Sequence, residues 1–255
     1  MLYKSLIVFL LFMQIQTIVW GQSERKASIG LNVFANSTSA PKMIPDYELS
    51  PKYQFTGGRA PGFEAQLFIG YQVIPRLEMR AGFVLGVQAQ AFNIYIDTSF
   101  LTLFSEPFDD YYLEFDNAYW GWFAKARYTM WQNQTNAIGA TAGLRAIYFG
   151  RYESSFSLSA STSGSISRTV YSVKAFYNPA NKTTYAPEFG VFYSRKLNNR
   201  FKIGMQLETS FSKTLIMASE SSYTIHGNST QLHGQMTRSY QQIGVGFDLV
   251  YLFEP

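Results

Sequence analysis

His226 and His233 are the only imidazoles in the chain, and both fall within 213–241, close to Glu220, Ser221 and Ser222. A hydrolase needs a nucleophile, a base and an orienting acid within hydrogen-bond reach, and Ser, His and Glu can fill those roles. Asp109 and Asp110 offer further carboxylates from a distant segment. Nothing in the spacing selects one serine, because serine is abundant in all these stretches, so solvated loop histidines are the expected state. A metal site on His226 and His233 lacks a third ligand. Cysteine is absent, which removes disulfides and thiolate metal sites. No catalytic residue, cofactor or metal site is therefore expected.

The stretch Glu106-Pro107-Phe108-Asp109-Asp110-Tyr111-Tyr112-Leu113-Glu114-Phe115-Asp116 is more distinctive. Acids interleaved with aromatics suit a divalent cation, or a partner gripped by Phe and Tyr anchors. Phe108, Asp109, Asp110, Tyr111 and Tyr112 are thus candidate loop-binding residues. The plainer account is an acidic loop above a surface rich in bound cations.

What must position these residues is a set of strands. From Leu77 to Ala91 every second residue is apolar, while Glu78, Arg80, Gly82, Gly86, Gln88 and Gln90 lie among the alternate positions. A strand has two faces, so one face here is greasy and the other polar. Eight such segments occur, at 27–35, 63–73, 77–91, 119–130, 137–149, 188–195, 201–212 and 242–253. Their polar faces collect Glu64, Glu78, Arg80, Lys125, Arg127, Arg145, Lys202, Glu208 and Asp248. Apolar outside and charged inside is the pattern of a transmembrane barrel. Eight strands leave an interior that side chains can fill. Four acids against five bases are expected to pair off as a luminal plug rather than line an ion path.

The connections alternate between short (74–76, 131–136, 196–200) and long (36–62, 92–118, 150–187, 213–241). Outer-membrane barrels have short periplasmic turns and long extracellular loops, and an even strand count places both termini in the periplasm. Ten strands would need 154–160 and 166–173 to span, which would put Arg168 beside Ile166 and Val170 on the lipid face. A serine-rich hairpin above the membrane is expected instead. A soluble lipocalin-like barrel would have to bury the charges against an apolar cavity.

Residues 1–21 read as an export signal: Lys4 is positive, 5–20 is largely apolar, and Val19 and Gly21 precede Gln22 at a plausible cut. Removing them takes away one base and no acid, leaving 20 Lys+Arg against 17 Asp+Glu, or +3. That balance is too mild and too evenly spread for nucleic acid. Aromatics are 17% of the chain against 15% charged residues, a lean that interfacial girdles explain.

The last segment, with Phe247, Leu249, Tyr251 and Phe253 alternating up to a near-terminal Phe, resembles the assembly signal of bacterial outer-membrane proteins. With the export signal, residues 22–255 resemble the small outer-membrane β-barrels common in Bacteroidota, of the OmpA-like membrane-domain and porin-family superfamily. The resemblance implies a single barrel domain at 22–255 and a Gram-negative cell envelope. It implies contact with outer-membrane lipid and with the barrel assembly machinery. The expected fold is all-β: an eight-stranded antiparallel up-and-down transmembrane barrel with long extracellular loops. The expected role is non-enzymatic, as a surface structural or binding protein, or as an accessory subunit with a protein partner in an envelope complex. The alternatives are a lipid-modifying enzyme using His226, as some eight-stranded outer-membrane enzymes use His with Ser and an acid, or a narrow conduit for small or apolar solutes.

Overall fold

The computed structural model describes residues 27–39, 42–45, 53–59, 61–96, 111–162, 166–177, 182–224 and 231–253. Residues 1–21, where an export signal is expected, and Phe108, Asp109, Asp110 and His226 lie outside them. The described strands, in chain order, are β1 (Ala27–Thr38), β2 (Lys42–Pro45), β3 (Tyr53–Gly58), β4 (Pro61–Ile74), β5 (Leu77–Ile96) and β6 (Tyr111–Gln132). They continue as β7 (Asn136–Phe149), β8 (Tyr152–Thr162), β9 (Ile166–Tyr177), β10 (Thr184–Lys196), β11 (Phe201–Thr224) and β12 (Gln231–Leu252).

Eight of them form a closed antiparallel barrel in the order β1-β4-β5-β6-β7-β10-β11-β12. The seam is β1 against β12, in register from Ser28↔Leu252 to Thr38↔Gln242. β7 pairs directly with β10 from Ile147↔Thr184 to Asn136↔Arg195, so the hairpin β8–β9 is not part of the wall. The strand count is eight.

The alternation read from the sequence is the alternation of burial. Ile69 (67% exposed), Leu67, Trp120 and Phe247 stand outward, while Lys125, at 1%, is buried with Arg80, Arg127 and Arg145. A soluble protein does the reverse, because apolar surface in water is costly. An apolar belt around a charged interior is a surface built for hydrocarbon.

The short connections are held by their own side chains. Asn133 Oδ1 accepts hydrogen bonds from the backbone N–H of Thr135 (3.0 Å) and Asn136 (2.7 Å). Asn198 Oδ1 does the same for Arg200 and Phe201, both at 2.8 Å. An Asn side chain mimics a backbone turn in this way and so ends a strand sharply.

The long connections differ from expectation. Much of 92–118 and 213–241 is strand: β5 runs on to Ile96, β6 starts at Tyr111, and β11 reaches Thr224 opposite Gln231 of β12, while within 150–187 the expected hairpin is β8 paired with β9. β2 adds to β12, β3 to β5, and β9 to β11, extending the sheet beyond the eight-stranded wall. The physical reason is that the hydrophobic pattern and the strand have different causes. Outward positions need apolar side chains only inside hydrocarbon, whereas the backbone ladder continues wherever two chains can pair. Two local corrections follow the same logic. A register shift between Thr129 and Trp131 leaves both Met130 and Trp131 exposed, so Trp131 belongs to β6 and not to the turn. Ala146 is on the outward row yet buried, since its ladder partners there are the large Trp122 and Tyr185.

Candidate functional site

The lumen is where this sequence concentrates chemistry, and each wall strand contributes at its inward positions. Near the short turns, β5 supplies Glu78 and Arg80, β6 supplies Arg127, and β12 supplies Asp248. Asp248 Oδ2 lies 2.8 Å from Arg127 Nη1 and 3.4 Å from Arg80 Nη1. Arg80 Nη2 is 3.1 Å from Glu78 Oε2, and the Ser28 hydroxyl donates to Glu78 Oε1 at 2.9 Å. Aromatic faces complete the coordination of both cations. The Arg127 guanidinium sits 3.6 Å over Phe192, and that of Arg80 sits 4.2 Å over Phe68. Lys202 lines the small cavity, about 80 Å³, that these groups leave.

A second cluster lies deeper. Lys125 Nζ donates to Glu208 (2.6 Å), Glu188 (3.0 Å) and Gln66 Oε1 (3.2 Å). Arg145 reaches Glu64 at 2.9 Å and pairs with Glu188. Gln66 Nε2 and the Tyr119 hydroxyl donate to Glu64 at 2.6 and 2.7 Å. Above Arg145, Tyr240 accepts from its guanidinium at 3.2 Å and passes a hydrogen bond on to Gln242. Phe149, Ile147 and Ile216 then close the interior, with the Phe149 ring 5.2 Å from Tyr119 and 6.1 Å from Tyr240.

This packing requires bare backbone opposite the large rings. A Cβ at Gly86 would collide with the Tyr119 ring, and one at Gly30 would collide with Phe68. The ring fills the space the missing side chain leaves.

All nine inward residues named from the sequence face the interior, and eight of them join these two clusters, with Lys202 beside the first. Glu188 was missed, yet it bridges Lys125 and Arg145. It starts the sixth segment just after Pro187, where a strand edge hid it, although it shares parity with Gly190, Phe192 and Ser194. With Glu188 the two clusters and Lys202 hold five acids and five bases. Arg238, also missed, is buried further out and donates to Thr38 at 3.1 Å. Charges paired in this way tie the strands of the wall to one another.

The other candidates separate. Tyr111 and Tyr112 are strand residues, in register with Ile94 and Asn93, and not part of a loop. Tyr111, Leu113 and Phe115 alternate there with Tyr112, Glu114 and Asp116, but the acids led to a loop reading. His233 is likewise in a strand: the ladder pairs it with Ser222, and Gln235, two positions along, with Glu220. Phe247, Leu249 and Phe253 are exposed on the outer face. Tyr251 packs edge-on between Phe201 and Phe253, 5.3 Å from each.

No family model matches the chain, and no curated protein does. Among solved structures it is similar to the outer membrane protein OprG from Pseudomonas aeruginosa, at 10% identity and a TM-score of 0.48, covering 90% of this chain and 97% of that one. The outer membrane protein AlkL in DMPC lipid bilayers gives 13% identity and a TM-score of 0.43, covering 92% and 93%. Neisserial surface protein A gives 12% and 0.38, covering 87% and 95%. The fold stated above rests on this chain's own ladders: a closed, eight-stranded, antiparallel barrel with its charges inside.

Proposed function

We propose that the chain is an integral outer-membrane protein with both termini periplasmic. In this reading it is a non-enzymatic, surface-exposed structural or binding barrel, or an accessory subunit of an envelope complex. The observation that carries this reading is the closed interior, where Lys125 and Arg145 tie five wall strands together under a lid of Phe149, Ile147 and Ile216. A barrel sealed in this way offers its rim and its extended strands to partners. The test is a native pull-down from solubilised outer membranes, paired with planar-bilayer recording of the purified chain. A stoichiometric partner and no stepwise conductance are expected. Sustained ohmic steps would overturn the sealed-lumen reading.

The lipid-modifying alternative gains one observation. The β11–β12 ladder sets Ser222 opposite His233, with Glu220 opposite Gln235 two positions along. Lipid profiles of cells expressing wild type and His233→Ala are expected to be identical; a modification lost only in the variant would favour the enzyme.

A further inference from the structure

On the outer face, β10, β11, β12 and β1 enclose a hollow of about 560 Å³. Its walls are Ile203, Met205, Phe247, Leu249, Leu31 and Val33, and Arg195 stands at its β10 end; Asp248, also on the lining, is buried and paired with Arg127 and Arg80, so Arg195 is the one exposed charge there. Arg195 is exposed and directed outward, in register with Asn136 and Ile203. Among the described outward positions of the barrel strands it is the only charge on the short-turn side; Asp116 and Lys213 lie toward the far edge. The adjoining Tyr193 hydroxyl donates to Asn136 Oδ1 at 2.7 Å, which marks the polar boundary at the height of Arg195.

The hollow also has a direction. Across the ladder, Arg195 meets Ile203, Ile203 meets Leu249, and Leu249 meets Leu31. Leu31 lies four residues from Ala27, but its next partner, Leu67, lies eight residues before Pro75. Strands of a closed barrel tilt and stagger, so this line climbs from the short turns toward the middle of the apolar belt. A guanidinium at the membrane boundary and a greasy channel leading inward from it match the two halves of one molecule.

We propose that this hollow is a specific site for a glycerophospholipid of the leaflet at the short turns. Arg195 holds the phosphate through charge-assisted hydrogen bonds, and an acyl chain lies along Ile203, Leu249 and Leu31 toward Val33 and Phe247. The proposal rests on the membrane-spanning reading above. Its test is done in detergent, where neither orientation nor leaflet enters, so a negative result counts against the hollow alone.

Full-length chain, purified in a mild detergent, is titrated with phosphatidylglycerol and read by native mass spectrometry. One tightly retained lipid per barrel is expected. Arg195→Gln should weaken retention about tenfold, the loss of roughly one charged hydrogen bond. Val33→Trp, which fills the hollow, should weaken it comparably, and Arg200→Gln, on the adjoining turn, should leave it unchanged. Each variant is checked for folding by heat-modifiable gel migration, and Leu31→Trp replaces Val33→Trp if that variant fails. Equal retention in wild type, Arg195→Gln and Val33→Trp would overturn the proposal. So would a lipid-free mass of two chains, which would make a second copy the occupant.

Discussion

Lys125 ties its own wall strand to three others. Its ammonium joins β6 to β4, β10 and β11 through Gln66, Glu188 and Glu208, with 1% of the residue exposed. Removing one partner of a buried ion cluster leaves the rest unpaired, so Lys125→Met should lower stability by about 3–5 kcal/mol. Urea unfolding in phospholipid vesicles measures it. A loss under 1 kcal/mol, an order-of-magnitude bound for exposed pairs, would mean water reaches the cluster. Gly86→Val should cost about 1–3 kcal/mol by displacing the Tyr119 ring from Glu64. The same unfolding assay reads it, and a neutral result would show that the ring has another place to go. The inward charges were legible in the sequence because period-two patterning assigns each to a face. Their partners were not: Asp248 meets Arg80 across 168 positions, a distance no local pattern encodes.

The strands themselves separate into two lengths with two causes. Within the belt, outward side chains meet hydrocarbon and must be apolar; beyond it only backbone pairing persists. Leu67, flanked in register by Leu31 and Phe83, lies within the belt. Leu67→Arg should therefore cost about 2–4 kcal/mol, the depth-dependent cost of a lipid-facing arginine near the midplane. Ser157, exposed on β8, stands on the extension, and Ser157→Arg should change stability by no more than about 0.5 kcal/mol. Equal costs at the two sites would place the β8–β9 hairpin in the membrane. This contrast explains which elements could be read in advance. The eight belt segments announced themselves by alternation and by their short Asn- and Pro-containing turns. β2, β3 and the far halves of β6, β11 and β12 carry polar residues on both faces, so the same reading took them for loops, whereas the hairpin β8–β9 was expected from its own serine-rich alternation.

At the scale of the whole molecule, stability depends on closing the ring between the first and last wall strands. Ser28 pairs with Leu252, and every wall strand is bonded on both sides. A closed barrel has no edge on which a missing N–H is harmless. Leu249→Pro, bonded to Leu31 on one side and facing Ile203 on the other, should abolish closure. Loss of heat-modifiable migration and of β-sheet circular dichroism would report it; a folded variant would show that the seam is dispensable. The amino-acid sequence by itself determined the class of fold, the number of wall strands and the inward face of nine charges, though not of Glu188 or Arg238. Those follow from a two-residue period and from the solvent each face must meet, both local properties. Only the tertiary structure decided which acid meets which base, that Glu188 bridges two cations, and that strands continue past the apolar belt. It alone assembled a hollow from four strands with Arg195 at one end. Such features depend on register around a closed ring, where residues from opposite ends of the chain become neighbours.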